Sequence, residues 1–291
     1  MQNNNEAEAL RSSTQRKLRK GIYILPNLFT LAALFGGFYA IVMAMNGKFE
    51  LAAVGVFCAM VLDSLDGRVA RMTHTQSAFG EQMDSLSDMV SFGAAPALIA
   101  YEWALRPLGR WGWIAAFVYC SCAALRLARF NVNTAVVDKR YFQGMPSPAA
   151  AALVAGFIWL TSALMVSHRD VPIFGEVISW FGGYPTDRAD LSWIMFAITL
   201  FAGLTMVTNI PYYSFKDFGG RRSVPFVFLV AIALLIGVVS IEPATMLFLG
   251  FVAYSVSGYV IYAWRRAKGE HVSIVATSTD EPDERGLHED E

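Results

Sequence analysis

The stretch "VLDSLDGRVARMTHTQSAFGEQMDSLSDMVSFGAAPA", from Val61 to Ala97, sets four aspartates, Asp63, Asp66, Asp84 and Asp88, between apolar flanks long enough to lie in a membrane. An ionised carboxylate on a membrane helix costs roughly 2.5 to 3.5 kcal/mol even on the forgiving insertion scale. A purely structural membrane protein has no reason to bear such charge, so the stretch marks both the fold and the site.

The rest of the chain agrees. Of its 291 residues 55% are hydrophobic and 16% charged, and the apolar residues come in blocks of the length that crosses about 30 Å of hydrocarbon. Eight such blocks stand out, at about 22–44, 49–71, 85–105, 112–131, 147–167, 191–210, 223–241 and 245–264. Backbone polar groups in hydrocarbon must be satisfied within the segment, so each block reads as a helix. The expected fold is an all-α polytopic membrane protein with about eight transmembrane helices. Residues 1–20 form a basic N-terminal segment, 21–266 the membrane domain and 267–291 a polar, acidic tail whose composition predicts disorder. Residues 6–20 read either as a basic amphipathic helix on anionic headgroups or as a solvated tail.

The net charge of −1 carries no nucleic-acid signal. Cys58, Cys120 and Cys122 lie in apolar runs, where they act as small hydrophobes rather than as a disulfide framework. No cleavable leader pattern precedes the first span. Of the 23 Lys and Arg residues, a cytoplasmic N-terminus leaves only Lys48, Arg106, Arg110, Arg169 and Arg188 on the far side. That asymmetry predicts both termini inside. It puts the aspartates at the cytoplasmic ends of the second and third spans, facing cytosolic reactants at the cell membrane.

At about 100° per residue, Asp63 and Asp66 lie about 60° apart on one helix, with Gly67 and Ala70 on the same face and Arg71 one turn on, while Asp84 and Asp88 lie about 40° apart on the next. Two carboxylate pairs can thus face each other across a helix-loop-helix. They would repel unless cations intervened or protons were retained. Hard divalent ions such as Mg²⁺ or Mn²⁺ suit an all-oxygen ligand set, and two ions can share bridging carboxylates. Paired hard cations beside a membrane commonly hold phosphate and stabilise a phosphorus centre under attack. Gly67 and Gly80 lack side chains where a flat ring or ribose would approach the backbone, or where two helices would pack closely.

Written out, Asp63, Asp66, Gly67, Ala70, Arg71, Gly80, Asp84 and Asp88 stand as DxxDGxxAR, eight residues, then GxxxDxxxD. This resembles the motif of the CDP-alcohol phosphotransferases at every position. The resemblance implies a metal-dependent membrane bundle, a six-helix catalytic core here followed by two C-terminal helices, and commonly a homodimer. Its reaction displaces CMP from a CDP-linked lipid with a hydroxyl group. Asp63, Asp66 and Asp84 are implied as metal ligands, Asp88 as a further ligand and general base, and Asp63, Asp66, Gly67, Ala70, Arg71 and Gly80 as the CDP-binding frame.

Beyond that motif, "LPNLFT", "DSLSDMVSFGAAPA", "LRLARFN", "FQGMPSPAAA" and "NIPYYSFKD" resemble the phosphatidylserine synthase branch. The implied donor is CDP-diacylglycerol and the implied acceptor L-serine. A serine carboxylate needs a fixed cation. Arg126 and Arg129 are candidates for it or for the lipid phosphate, against positive-inside anchors that snorkel to headgroups. Ser91 offers its hydroxyl to the substrate or to its own helix backbone. Asn27 has a substrate or nucleotide role or bonds a neighbouring helix. Gln143, Pro146 and Pro148 shape a re-entry loop, Lys216 is a weak lipid-phosphate candidate, and His74 and Cys120 have no role. Rival readings are a sister transferase using glycerol 3-phosphate or inositol, and a divalent-cation transporter.

Overall fold

The computed structural model describes residues 26–73, 75, 77–132, 141–167, 191–214 and 226–268. The basic N-terminal segment, His74, residues 168–190, Lys216 and the acidic tail from residue 269 lie outside them.

Each of the eight apolar blocks coincides with a helical segment. Helix α1 is Pro26–Met45. Proline is suited to a first helical turn, where its missing N–H has no partner to lose. A tight turn with Gly47 at φ +72° reverses the chain into α2, Phe49–Thr73. The two helices meet along a seam of small residues. A Cβ added at Gly36 would stand 3.3 Å from the Gly55 carbonyl oxygen, and one at Gly55 would stand 3.1 Å from Ala40 Cβ. Without a hydrophobic drive between helices in lipid, such close approach is what gives association its dispersion energy.

The third block starts earlier than its hydropathy predicts. Helix α3, Ala78–Asp88, is capped by Ser77, whose Oγ accepts the Gly80 amide at 3.0 Å. Half of the polar loop expected between the aspartate pairs is therefore helical. The rod continues through a π-helical segment, Met89–Ala94, then α4, Ala95–Ala100, a second π-helical segment, Tyr101–Leu105, and a 3-10 turn, Arg106–Leu108. Pro96 cannot donate to the Phe92 carbonyl four residues back. Tyr119, from the following helix, donates its hydroxyl to that carbonyl at 3.1 Å, the kind of rescue that lets proline stand inside a membrane helix.

Helix α5, Arg110–Val132, packs against α7, Ser192–Val207. Between them in sequence, α6, Ser147–Ser167, forms the hub. Ala149 to Ile158 is buried almost throughout, as expected of a helix apolar on every side, and α2 and α9, Pro243–Ala267, pack against it. The remaining helix, α8, Phe226–Ile241, contacts α9 and exposes Leu234 and Ile236. Among the described residues, four helical spans, Pro26–Met45, Arg110–Val132, Ser147–Leu164 and Pro243–Ala267, are long and apolar enough to cross a membrane by length and composition. The α2 and α3 rods carry the carboxylates, and α7 and α8 are shorter than a full crossing.

One feature departs from a purely helical expectation. Strands β1, Tyr141–Gln143, and β2, Pro211–Tyr213, pair antiparallel with Phe142 opposite Tyr212. The proposed re-entry loop is thus a two-stranded clasp. Gly144, at φ +75°, closes it: an added Cβ would lie 2.3 Å from the Met206 carbonyl oxygen, and its amide bonds Ile210 O at 2.9 Å.

Candidate active site

The last turns of α2 and the whole of α3 bring the aspartates together. Asp66 lies about 25 Å along α2 from its start, close to the edge of the hydrocarbon. Carboxylate oxygens of Asp63, Asp66 and Asp84 all lie within 4.8 Å of one another. Asp66 is nearly buried, and its Oδ2 accepts a hydrogen bond from Thr30 Oγ1 of α1 at 2.8 Å. Asp88 stands near enough to this group to interact electrostatically with Asp63 and Asp84. The π-helical segment begins directly after Asp88 and departs from the α repeat there, a distortion that recurs at functional sites.

Two oxygens, Asp84 Oδ1 and Asp88 Oδ1, are buried with no hydrogen-bond partner among the described residues. Orphaned carboxylate oxygens are costly in a low dielectric. Convergent carboxylates with free inward lone pairs are the donor set a hard divalent cation takes, so these residues fit a metal ion.

On the solvent side of this cluster lies a cavity of about 180 Å³ lined by Asp66, Gly67, Ala70, Arg71, Gly80 and Asp84, together with Asn27 and Thr30 of α1. Both motif glycines keep it narrow yet open. A Cβ at Gly67 would stand 3.3 Å from Arg71 Nη1, and one at Gly80 would stand 3.2 Å from Ser77 Oγ and 3.3 Å from Asn27 Oδ1. Arg71 therefore folds back over Gly67, and Asn27 sits across the cavity from α3.

On the other side of Asp88, Arg126 of α5 is placed by a 2.8 Å hydrogen bond from its Nη1 to Ser147 Oγ at the start of α6. Its guanidinium interacts electrostatically with Asp88, and its Nε is buried without a partner. Arg129 is occupied elsewhere. Its Nη2 donates to Asn209 Oδ1 at 2.6 Å and its Nη1 to Val207 O at 3.3 Å, while Gln143 Nε2 also donates to Asn209 at 2.8 Å. Ser91 is fully buried and donates to Ala33 O of α1 at 3.1 Å. Its hydroxyl meets neither the cavity nor its own helix backbone. Thr30 and Ser147 are the residues sequence reasoning passed over. Their hydroxyls stood in quoted segments, "LPNLFT" and "FQGMPSPAAA", but their partners lie 36 and 21 residues away.

A helical membrane bundle with a metal-competent carboxylate cluster at two helix ends, beside a cavity framed by glycines and an arginine, defines a membrane-embedded transferase of phosphate-linked groups. The family model for CDP-alcohol phosphatidyltransferase matches residues 23–201, and the chain belongs to that family. It is 37% identical over 195 residues to the CDP-diacylglycerol–serine O-phosphatidyltransferase of Helicobacter pylori (strain ATCC 700392 / 26695), covering 67% of this chain and 74% of that protein. Proteins of the same name from Methanocaldococcus jannaschii and Saccharomyces cerevisiae are 35% and 38% identical, over 55% and 56% of this chain and 74% and 62% of theirs.

Proposed function

We propose that this protein transfers the phosphatidyl group of CDP-diacylglycerol to the hydroxyl of L-serine and releases CMP, at the cytoplasmic face of the cell membrane with both termini inside. The observation that carries the choice of acceptor is the Arg126 guanidinium beside Asp88, held by Ser147 and left with a free buried N–H. It offers one fixed cation where an acceptor hydroxyl must enter, which suits a small alcohol bearing one carboxylate. The relatives named above carry the serine activity in their names.

Asp63, Asp66 and Asp84, with help from Asp88, would hold one or two divalent ions, Mn²⁺ or Mg²⁺. An ion held there would supply charge neutralisation of the diphosphate and of the departing phosphate. Gly67, Ala70, Gly80 and Asn27 leave room for the cytidine, and Arg71 faces its phosphates. Asp88 takes the proton from the serine hydroxyl as its oxygen attacks the phosphatidyl phosphorus. The new bond joins the serine oxygen to the phosphatidyl phosphorus, and the bond that breaks is the one between that phosphorus and the bridging oxygen of the diphosphate, which leaves as part of CMP. General-base catalysis of this kind contributes about 10²- to 10⁴-fold. Active protein is proposed as a homodimer, on the family resemblance alone.

Glycerol 3-phosphate would call for more converging cations than this pocket presents, since Arg129 is tied to Val207 and Asn209. A cation pathway would need carboxylates along several helices, whereas these gather at the ends of two. The test is CMP release from CDP-diacylglycerol by purified protein with Mn²⁺, with serine, glycerol 3-phosphate and inositol supplied in turn. Serine-dependent release is expected. Release without serine, or preference for another alcohol, overturns the assignment.

A further inference from the structure

Three buried hydroxyls join α1 to the helices that carry the aspartates. Thr30 donates to Asp66 Oδ2 of α2 at 2.8 Å, Ser87 of α3 donates to the Thr30 carbonyl at 3.2 Å, and Ser91 of the π-helical segment donates to Ala33 O at 3.1 Å. A serine inside a helix often returns its hydroxyl to the carbonyl four residues back, as Ser64 of α2 does with Met60 O at 2.8 Å. Ser87 and Ser91 instead reach across to another helix, and they are only 2% and 0% exposed. A hydroxyl so buried is costly to leave unpaired. The two bonds therefore fix how α1 and the rod dock.

Donors and acceptors run in the same order along the two elements, Ser87 to Thr30 and then Ser91 to Ala33, so a slide of one element along the other breaks both bonds together. The packing beside them leaves little slack. A Cβ at Gly80 would stand 3.3 Å from Asn27 Oδ1 at one end of the contact, and one at Gly37 would fall 2.6 Å from Ser91 Cα at the other. Thr30 is where the two carboxylate pairs are joined. Its hydroxyl holds Asp66 on α2, and its carbonyl holds Ser87, which stands between Asp84 and Asp88 on α3. Asp66 and Asp84 belong to different helices, yet their carboxylate oxygens lie within 4.8 Å of each other. One residue of a third helix spans that gap.

We propose that Ser87 is a positioning residue for the metal centre: through the Thr30 carbonyl it sets the height of α3 against α1, and so holds the Asp84 carboxylate at the separation from Asp66 that a shared divalent cation requires. This rests on the reading of Asp63, Asp66 and Asp84 as metal ligands. Oxygen ligands sit about 2.0 to 2.6 Å from such ions, so a small slip between the helices weakens the site. The Ser87 hydroxyl is engaged by Thr30 O, and it acts on the ion through helix placement alone.

The experiment compares Ser87→Ala, Thr30→Val and their double mutant with the parent protein in detergent. Ser162→Ala serves as the control, because Ser162 Oγ accepts from Trp103 Nε1 at 3.1 Å in an equally buried contact between other segments of the bundle. Two Mn²⁺ midpoints are measured, that of turnover and that of the rise in melting temperature which Mn²⁺ produces without substrate. In S87A both midpoints move to about fivefold higher Mn²⁺, somewhat less than the tenfold typical of a residue bonded directly to a ligand. S162A lowers the basal melting temperature and leaves both midpoints in place. Because Ser87 and Asp66 are joined through Thr30, the loss in the double mutant is smaller than the product of the two single losses. If the parent shows no Mn²⁺-dependent rise in melting temperature and its turnover survives EDTA, the metal reading fails and this inference with it. If the parent shows both responses but S87A moves neither midpoint, whatever its basal stability, the positioning role alone is overturned. An equal shift in S162A makes the effect one of general destabilisation and overturns it too, and fully multiplicative losses overturn the route through Thr30.

Discussion

Thr30 has one hydroxyl proton and two acceptors in reach, Pro26 O at 3.2 Å in its own helix and Asp66 Oδ2 at 2.8 Å. The charged acceptor at the shorter distance takes it. That bond steadies the Asp66 carboxylate beside Asp63 and Asp84, as residues that bond metal ligands commonly do. Thr30→Val keeps the shape and removes the proton. Half-saturating Mn²⁺ for turnover is expected to rise about tenfold, with the melting temperature nearly unchanged, and a titration of activity against Mn²⁺ checks it. An unchanged titration curve would leave Thr30 no part in the site. Asp88→Asn keeps size and polarity but cannot accept the acceptor's proton. Its kcat should fall by about 10²- to 10⁴-fold while binding of CDP-diacylglycerol, read by equilibrium dialysis, persists. Unchanged turnover would remove the base from Asp88. At this scale the aspartates, glycines and Arg71 were legible in the linear chain, since their spacing alone gathers them on facing helix surfaces. The Thr30, Ser147 and Ser87 contacts were not, because each depends on which helix faces which. Ser91 makes the same point from the other direction: one turn beyond Asp88 in sequence, it faces α1 and bonds Ala33.

The helices divide into those that hydropathy predicts and those that packing shapes. Blocks of about 20 apolar residues must be helical in lipid because no water is present to satisfy a freed backbone, and α1, α2, α5, α6 and α9 follow their blocks within a few residues. Hydropathy is blind to the winding inside a block. The π-helical segments around Pro96 are allowed because Tyr119 of α5 supplies a donor to the Phe92 carbonyl, a contact no local pattern encodes. The first of these segments also packs on α1 with no space to spare. A Cβ at Gly37 would fall 2.5 Å from Ser91 Oγ and 2.6 Å from Ser91 Cα. Gly37→Ala must push α1 away from the helix that follows Asp88, at about 1 to 3 kcal/mol for overpacking. A lower melting temperature together with reduced turnover is expected, since the shift also moves Thr30 from Asp66. Full activity and stability in G37A would show that the seam can open without disturbing the site.

Across the whole molecule, catalytic chemistry and structural support are separable. The bundle is held by apolar contacts around α6, small-residue seams and intrahelical hydrogen bonds, whereas the carboxylates sit at the ends of two helices. Chelation with EDTA is therefore expected to abolish turnover, reversibly on return of Mn²⁺ or Mg²⁺, while the far-ultraviolet circular dichroism stays that of a helical protein. Persistent turnover without free divalent ions would refute the metal reading, and a loss of helicity would mean that metal also holds the fold. The broad exposed apolar surface, including Phe35, Phe38, Trp111 and Phe117, is what a lipid-facing exterior requires.

The amino-acid sequence by itself determined a polytopic helical membrane protein, the place of its reactive stretch and the identity of its carboxylates. Those depend on hydrophobic length and on helical periodicity, both properties of a contiguous segment. Tertiary structure decided the rest: which arginine keeps a buried N–H without a partner, which hydroxyl steadies Asp66, that β1 and β2 pair as a two-stranded clasp, and that the last helix seats on that clasp. Each of these joins segments far apart in the chain, and such pairings arise only from how the helices dock, a choice governed by the fit of small residues, rings and buried hydrogen bonds rather than by any local signal.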